Sequence, residues 1–472
     1  MTDTATRFAP APTGHLHLGN VRTAFFNWLL ARQSAGRFVL RVEDTDAERS
    51  RGDYLDALIA DLHWLGLDWD EGPDSGGDFG PYSQAARAKI YAEYFDRLVR
   101  SRHAFPCFCT PQQLAIARKA QLSSGRPPRY PGTCRDLPGA EVKARLDAGE
   151  TASLRFRVDR GRDIRFVDLV RGPQQFASND IGDFVIRRAD GSAAFFFTNA
   201  LDDSLMQITD VLRGEDHIAN TPRQILILEC LGLRVPRYGH MSLLVGEDSA
   251  PLSKRHGASS LRDLREQGFL PAAVLNYLLR LGHALVDDRW YELVEMPAAF
   301  GIGRLGRAPS RFDLDQLEHW QREAIHRADD QTLIAWASAD ALESVPTNER
   351  AAFIRAVRPN LTRPADLADW AGRIFGSLPE PEDDAVAAIA GAGPGFFAAA
   401  VSACENGRAS LRDLAAAISD ATGARGKRLY MPLRAALTGR LSGPELGPIL
   451  TLMPAATVRR RLQRHATAGD ES

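Results

Sequence analysis

The segment Pro10-Ala11-Pro12-Thr13-Gly14-His15-Leu16-His17-Leu18-Gly19-Asn20 constrains this chain more than any other stretch. A short apolar run, TRFAP at 6–10, precedes it, and Val21, Ala24, Phe25, Trp28 and Leu29 follow at helical spacing. A further apolar run, RFVLRVE at 37–43, completes a strand, helix, strand unit that opens a parallel α/β sheet. Two prolines fix the exit of the first strand. Gly14 and Gly19 let a ligand approach the backbone at a helix N-terminus, where unpaired N–H groups and the helix dipole favour phosphate. An imidazole there can donate to phosphoryl oxygens as charge develops. Two surface histidines in a Pro/Gly turn are the plainer alternative.

A second helix carries Leu55, Leu58, Ile59, Leu62 and Leu65 on one face. From about Gly72 to Arg188 the pattern changes to turn clusters, a group of cysteines and short β-rich runs such as ASLRFRVD and IRFVDLV, which reads as an insertion. The α/β pattern resumes near Ala193 to Asp210, continues through an apolar helix at Gln224 to Cys230 and ends in HMSLLVG. After about Ser310 the chain is Ala- and Leu-rich with helical periodicity throughout, which predicts a separate all-α region. Its charge is uneven: residues 405–472 carry 11 basic against 6 acidic side chains. Arg425-Gly426-Lys427-Arg428 and Arg459-Arg460-Arg461 are therefore either a phosphate-contacting face or a solvated helix surface.

With 472 residues, 44% of them hydrophobic and 25% charged, the composition excludes a disordered, collagenous or coiled-coil chain and predicts several domains. The formal charge of −2 requires any nucleic-acid contact to use local patches. Five cysteines are too few and too odd in number for a disulfide framework, which points to a reducing compartment. MTDTATRFAP lacks the basic and apolar regions of a secretory signal, so a cytoplasmic protein is expected. Ala385 to Cys404 is uncharged but broken by Gly393-Pro394-Gly395, which predicts two small-residue helices around a turn, not a membrane span. Gly301-Ile302-Gly303-Arg304-Leu305-Gly306 fits a dinucleotide fingerprint by spelling alone, lacking the strand before and the helix after.

The second chemical signal is Pro251-Leu252-Ser253-Lys254-Arg255-His256-Gly257, a basic loop after an expected strand. A flexible lysine among small and hydroxyl neighbours can follow a triphosphate into its transition state. Together, HLGN at 17–20 and LSKR at 252–255 resemble the two signatures of class I aminoacyl-tRNA synthetases. RFVLRVEDTDAERS, WLGLDWDEGP, VLRGEDHIANTPRQ, LSKRHG, LPAAVLNYLLRLG and FDLDQLEHW extend that resemblance to the bacterial glutamyl-tRNA synthetases over essentially the whole chain.

The resemblance implies a multidomain α/β plus all-α protein: a Rossmann-type catalytic domain in two halves at 1–80 and 191–240, an inserted acceptor-binding domain at 81–190, a signature-loop and stem-contact region at 241–320, and a helical anticodon-binding region at 321–472. It implies ATP with Mg²⁺, L-glutamate and glutamate tRNA as partners, and a monomer that meets no membrane. His17 and Lys254 are the implied catalytic residues. Pro12, Thr13, Gly14, His17, Gly19, Asn20, Leu252, Ser253, Lys254 and Arg255 match the ATP contacts, while Arg7, Ala9, Glu43, Phe195, Asn199 and Arg213 match the glutamate pocket. Structural ion pairs are the competing role for the charged members of that pocket.

The chain also departs from the family pattern. Position 11 is Ala where Ser is common, Ala193-Ala194-Phe195 replaces a Pro-Thr-Tyr triplet, and Pro251 stands where Lys is usual. Cys107, Cys109 and Cys134 offer three thiolates to a soft cation such as zinc, the alternative being reduced, metal-free cysteines. The family's fourth-ligand position is Asp136 here, with Tyr130 as its rival. Arg358-Pro359-Asn360 ends in Asn where members that discriminate between tRNAs carry Arg, so charging of glutamine tRNA is an added expectation unless Asn360 only caps a helix end. Three other readings compete: a truncated paralogue that modifies a tRNA base, a catalytically dead tRNA-binding relative, and a nucleotidyltransferase without tRNA. The helical C-terminal region argues against the first and third, and the intact signatures against the second.

Overall fold

The computed structural model describes residues 4–45, 52–125, 127–250, 252, 260–405, 407 and 409–466. Pro251 and the residues Ser253, Lys254, Arg255, His256 and Gly257 of the basic loop lie outside them. The chain divides into two compact units, one formed by 1–264 with 275–314, the other by 265–274 with 315–472.

The first unit opens with β1 (Ala5–Phe8), α1 (Leu18–Gln33), β2 (Arg37–Leu40) and α2 (Gly52–Leu65). Strands β1 and β2 pair in parallel, Ala5 opposite Arg37 and Phe8 opposite Leu40. All four residues of β1 are buried, as expected of a parallel strand covered on both faces. Helix α1 begins where the His17 side chain accepts the Asn20 amide, an N-cap supplied by an imidazole.

The insertion follows as α3 (Ala88–Arg100), β3 (Ala104–Cys107), α4 (Pro111–Ser123), α5 (Gly139–Asp147), β4 (Ser153–Phe156), β5 (Asp163–Asp168), β6 (Gly172–Ala177), α6 (Ser178–Ile181) and β7 (Phe184–Arg187). Strands β3, β4 and β7 form an antiparallel sheet, and β5 and β6 a hairpin. The β-rich runs ASLRFRVD and IRFVDLV expected in the insertion contain β4 and most of β5. A Thr110–Gln113 capping box with Pro111 in the first turn starts α4.

The parallel pattern resumes with α7 (Phe195–Leu205), β8 (Asp210–Gly214), α8 (Thr221–Leu231), β9 (Arg237–Met241) and β10 (Leu244–Val245). Strands β8 and β9 pair in parallel. The Thr209 amide, just before β8, donates to the Ala5 carbonyl at 2.8 Å, so β8 lies beside β1. Helix α8 stops at Gly232, whose φ of 68° is the left-handed cap that glycine adopts without strain. One apolar cluster joins the two halves and the insertion through Ala5, Val39, Phe95, Phe156, Phe197, Val211 and Tyr238. The Gly301–Gly306 stretch forms a short 3-10 turn at Ile302–Arg304, not a strand-to-helix loop.

The second unit is helical. Asp383–Ala390 and Phe396–Ser402 are the two small-residue helices, turning at Gly393 and Gly395, both at positive φ. Arg461, expected on a basic face, is buried: it donates to the carbonyls of Arg373 and Gly376 at 2.5 and 2.9 Å and to that of Leu437. Three otherwise unpaired carbonyls at helix ends explain why this arginine turns inward. No helix among the described residues is long and apolar enough to cross a membrane.

Candidate active site

A cleft of about 650 Å³ opens at the carboxyl ends of β1 and β8, the place where ligands settle on open parallel sheets. The segment after β1 supplies Ala9, Thr13, His17, Gly19 and Asn20 to its lining, and Leu252 closes one side. Pro12 is buried, and neither it nor Gly14 is among the lining residues. A Cβ on Gly14 would meet nothing within 4 Å, whereas one on Gly19 would press the His17 ring at 3.1 Å. Gly19 therefore makes room for the imidazole cap. Ser260 bridges to His17, and the Leu261 amide donates to the Leu16 carbonyl at 2.8 Å, so the chain returns to the first signature immediately after the second.

His17 Nδ1 accepts the Asn20 amide at 3.3 Å, which leaves the proton of the neutral ring on Nε2. Desolvation lowers its pKa against the pull of Asp216, so the neutral donor form is the resting one near pH 7. His15 instead faces Tyr54 edge-on and Arg262, apart from the lining residues.

The deeper part of the cleft is a charge network. Arg7 Nε and Arg41 Nη1 both reach Asp203, Arg41 also reaches Glu43 at 3.3 Å, and Asn199 donates to Glu43. Burial raises the Glu43 pKa against the opposing effect of Arg41 and Arg7. Arg213 differs. Its Nε donates to His240 at 3.1 Å and its Nη2 to Thr221 and Gln224 at 2.8 and 2.7 Å, all neutral groups, while Nη1 is buried without a partner. Burial pushes its pKa down to about 10, so the group stays charged at neutral pH. Phe195 lines the wall and stacks on His217 at 5.5 Å. Ala194 gives α7 no side-chain cap, the local consequence of the missing hydroxyl.

Arg7, Ala9, Glu43, Phe195, Asn199 and Arg213 thus meet in one cleft with Thr13, His17, Gly19, Asn20 and Leu252. Asp203, Thr221, Gln224, His240 and Asp168 were not singled out from the sequence. No spacing signal marks their roles, since each acts through partners distant in sequence: Asp203 from α7, Thr221 and Gln224 from α8, Asp168 and His240 from β5 and β9.

A separate cluster lies in the insertion. The thiols of Cys107, Cys109 and Cys134 offer ligand atoms within 4.8 Å of one another. The Tyr130 hydroxyl sits 3.4 Å from the Cys107 sulfur and 3.8 Å from that of Cys109, and accepts the Cys134 amide at 2.7 Å. Asp136 does not join them: its carboxylate is 80% exposed and pairs with Arg157 at 3.0 Å. Asp136 points to a half-buried arginine and away from the sulfurs, and the oxygen that lies beside them is the Tyr130 hydroxyl. Three soft donors with an oxygen beside them suit a tetrahedral zinc site.

The family model "tRNA synthetases class I (E and Q), catalytic domain" matches residues 3–319, and "Anticodon binding domain" matches 331–466. The chain is 54% identical over 458 residues to glutamate–tRNA ligase 2 of Nitrosococcus oceani, covering 97% of each. It is 52% identical over 466 residues to glutamate–tRNA ligase 2 of Alkalilimnicola ehrlichii, covering 98% of each. The crystal structure of a glutamate tRNA ligase from Elizabethkingia meningosepticum in complex with its amino acid superposes with a TM-score of 0.89 at 25% identity, covering 98% of this chain and 99% of the other.

Proposed function

The chain belongs to the class I tRNA synthetases for glutamate and glutamine, and from this premise we propose that it attaches L-glutamate to the 3′ end of glutamate tRNA in protein synthesis. Its near full-length identity to glutamate–tRNA ligases of two bacteria supports the reaction. One observation supports the choice of amino acid: Arg213 is a buried cation in the cleft with neutral hydrogen-bond partners and an open Nη1, so an anionic side chain satisfies both its donor and its charge, whereas an amide satisfies the donor alone.

In the first step a glutamate α-carboxylate oxygen attacks the α-phosphorus of Mg²⁺-bound ATP; the new P–O bond forms as the bond to pyrophosphate breaks. Glu43 is suited to hold the α-ammonium, and Arg7 and Arg213 the carboxylates. The His17 Nε2–H would donate to phosphoryl oxygens as their charge grows. Lys254 would do the same for the departing pyrophosphate. In the second step a ribose hydroxyl of the terminal adenosine attacks the acyl carbon and AMP leaves. No side chain is acylated, so positioning and charge stabilisation carry the catalysis.

Zinc at Cys107, Cys109, Cys134 and Tyr130 would serve structure, tying the strand end at Cys107 to the loop at Cys134. The basic helical region would contact the tRNA through phosphates. The protein would work as a monomer in the cytoplasm, as the few unpaired cysteines suggest. The test is acid-labile charging of purified glutamate and glutamine tRNAs with radiolabelled glutamate and ATP. Charging of neither would end this reading.

A further inference from the structure

The buried pair Asp168–His240 serves no step of the chemistry above, yet it ends on the cleft's open cation. Asp168 closes strand β5 of the inserted hairpin, and His240 lies in β9; the two are 2% and 0% exposed. Asp168 Oδ1 accepts the amides of Val170, Arg171 and His240 at 2.9, 2.8 and 3.1 Å. Its Oδ2 faces His240 Nδ1 at 2.5 Å. A carboxylate there requires a proton on Nδ1, so Nε2 carries a lone pair, and that lone pair receives the Arg213 Nε–H at 3.1 Å. Thr221 and Gln224 hold Nη2, which leaves Nη1 as the open arm of the fork.

We propose that Asp168 and His240 are positioning residues for amino-acid selection: Asp168 fixes the His240 tautomer, the tautomer fixes the Arg213 fork, and the fork presents Nη1 to the substrate's side-chain carboxylate. A histidine held neutral leaves the guanidinium without a charged hydrogen-bond partner, Asp203 and Glu43 acting on it only from a distance, whereas a carboxylate in its place would cancel much of that charge and favour an amide substrate. Burial keeps His240 below its ordinary pKa, in keeping with the neutral ring. The inserted hairpin thereby contributes a residue to selection in a cleft built by the sheet.

The inference rests on the charging activity proposed above. The decisive variant is D168N, which keeps a carbonyl oxygen for the three backbone amides but turns an NH₂ toward Nδ1. His240 must then carry its proton on Nε2, where it donates to the Thr221 hydroxyl at 3.1 Å and no longer accepts the Arg213 Nε–H. With saturating tRNA, the KM for glutamate should rise by about tenfold or more while the KM for ATP stays within about twofold, and the preference for glutamate over glutamine should fall. The nitrogen NMR shifts of His240 should show the exchanged tautomer. In D168N/H240Q, the glutamine oxygen restores an acceptor for Arg213, and the glutamate KM should recover toward wild type. An unchanged glutamate KM in D168N, equal rises for glutamate and ATP, or no recovery in the double variant would each overturn the assignment. Wild-type protein that charges no tRNA would instead end the functional reading itself.

Discussion

Arg7 Nε and Arg41 Nη1 donate to the same oxygen of Asp203, at 3.0 and 2.7 Å. All three groups are buried, so one carboxylate holds two cations away from water. Burial alone would raise the Asp203 pKa; Arg7 and Arg41 outweigh it and hold the group below the usual carboxylate range. Its contribution is therefore complete above about pH 4 and fades as pH falls below that. Asp203→Asn keeps the shape and leaves two buried guanidiniums underpaired. We expect a loss of about 3–5 kcal/mol in denaturant unfolding, with Glu43 displaced and charging reduced. A loss under about 1 kcal/mol would mean that water reaches the pair.

A second prediction concerns acid stability. His283 is buried, accepts the Gly301 amide at 3.0 Å through Nε2 and stacks on Phe300. Burial lowers its pKa, so the folded chain does not take up a proton that the unfolded chain binds near pH 6.5. The stability it preserves is present above that pH and is lost as pH falls toward the folded value, by at most about 1.4 kcal/mol per pH unit for one group. His283→Gln retains the acceptor and cannot titrate. Thermal midpoints measured from pH 7.5 down to pH 5 should decline less steeply in the variant; identical slopes would remove His283 from the acid response.

The thiol cluster yields a third prediction, in which the two oxygen candidates separate. Protein purified without chelator should carry about one zinc per chain, and Cys134→Ser should lose it and loosen the insertion. Because Tyr130 stands among the sulfurs and Asp136 pairs with Arg157, Tyr130→Phe should weaken metal retention against a chelator while Asp136→Ala should not. Zinc absent from the wild-type protein would refute the site.

What the sequence made legible follows the range of the interactions. The Pro/Gly segment before α1, the helical faces and the β-rich insertion runs are local patterns, and each element formed where its pattern lay. The cysteines were legible as ligands because few other roles gather three thiols. Asp168 and His240 were not: they are 72 residues apart and meet only because the inserted hairpin packs on β9. Arg461 was misread for a related reason, since three consecutive arginines look alike until the fold supplies carbonyls to one of them.

Lys254 carries the fourth prediction. Its place is outside the described residues, but Leu252 lines the cleft and Ser260 bridges to His17, so the loop's two ends bracket the phosphate side. Lys254→Ala removes a charge needed as pyrophosphate leaves, and turnover should fall by about 10²–10³ with tRNA affinity little changed. Unchanged turnover would take Lys254 out of the mechanism.

The last prediction concerns the tRNAs accepted. Asn360 ends the short turn Arg358–Asn360 and opens onto a polar hollow of about 260 Å³ lined also by Asp366, Trp370, Glu382, Arg440, Ser442 and Gly443. It does not cap the following helix, which begins at Pro364 with Arg363 before it and with the Thr362 and Arg363 amides taken by Asp366. Arg358 is committed to Asp330 at 2.6 Å, and Asn360 is the turn's polar side chain at the hollow. Glutamate and glutamine anticodons differ by a cytosine against a guanine; an amide carries both a donor and an acceptor and so satisfies either base edge, whereas a guanidinium offers donors only and cannot serve the donors of the guanine edge. We therefore expect glutamate to be placed on glutamine tRNA as well as on glutamate tRNA, with efficiencies within about a hundredfold. Asn360→Arg should widen that gap by roughly tenfold or more, one lost base contact being worth about 1–3 kcal/mol. Charging rates on the two purified tRNAs decide it: a preference of several hundredfold in the wild type, unaltered by Asn360→Arg, would show that selection lies elsewhere in the helical region.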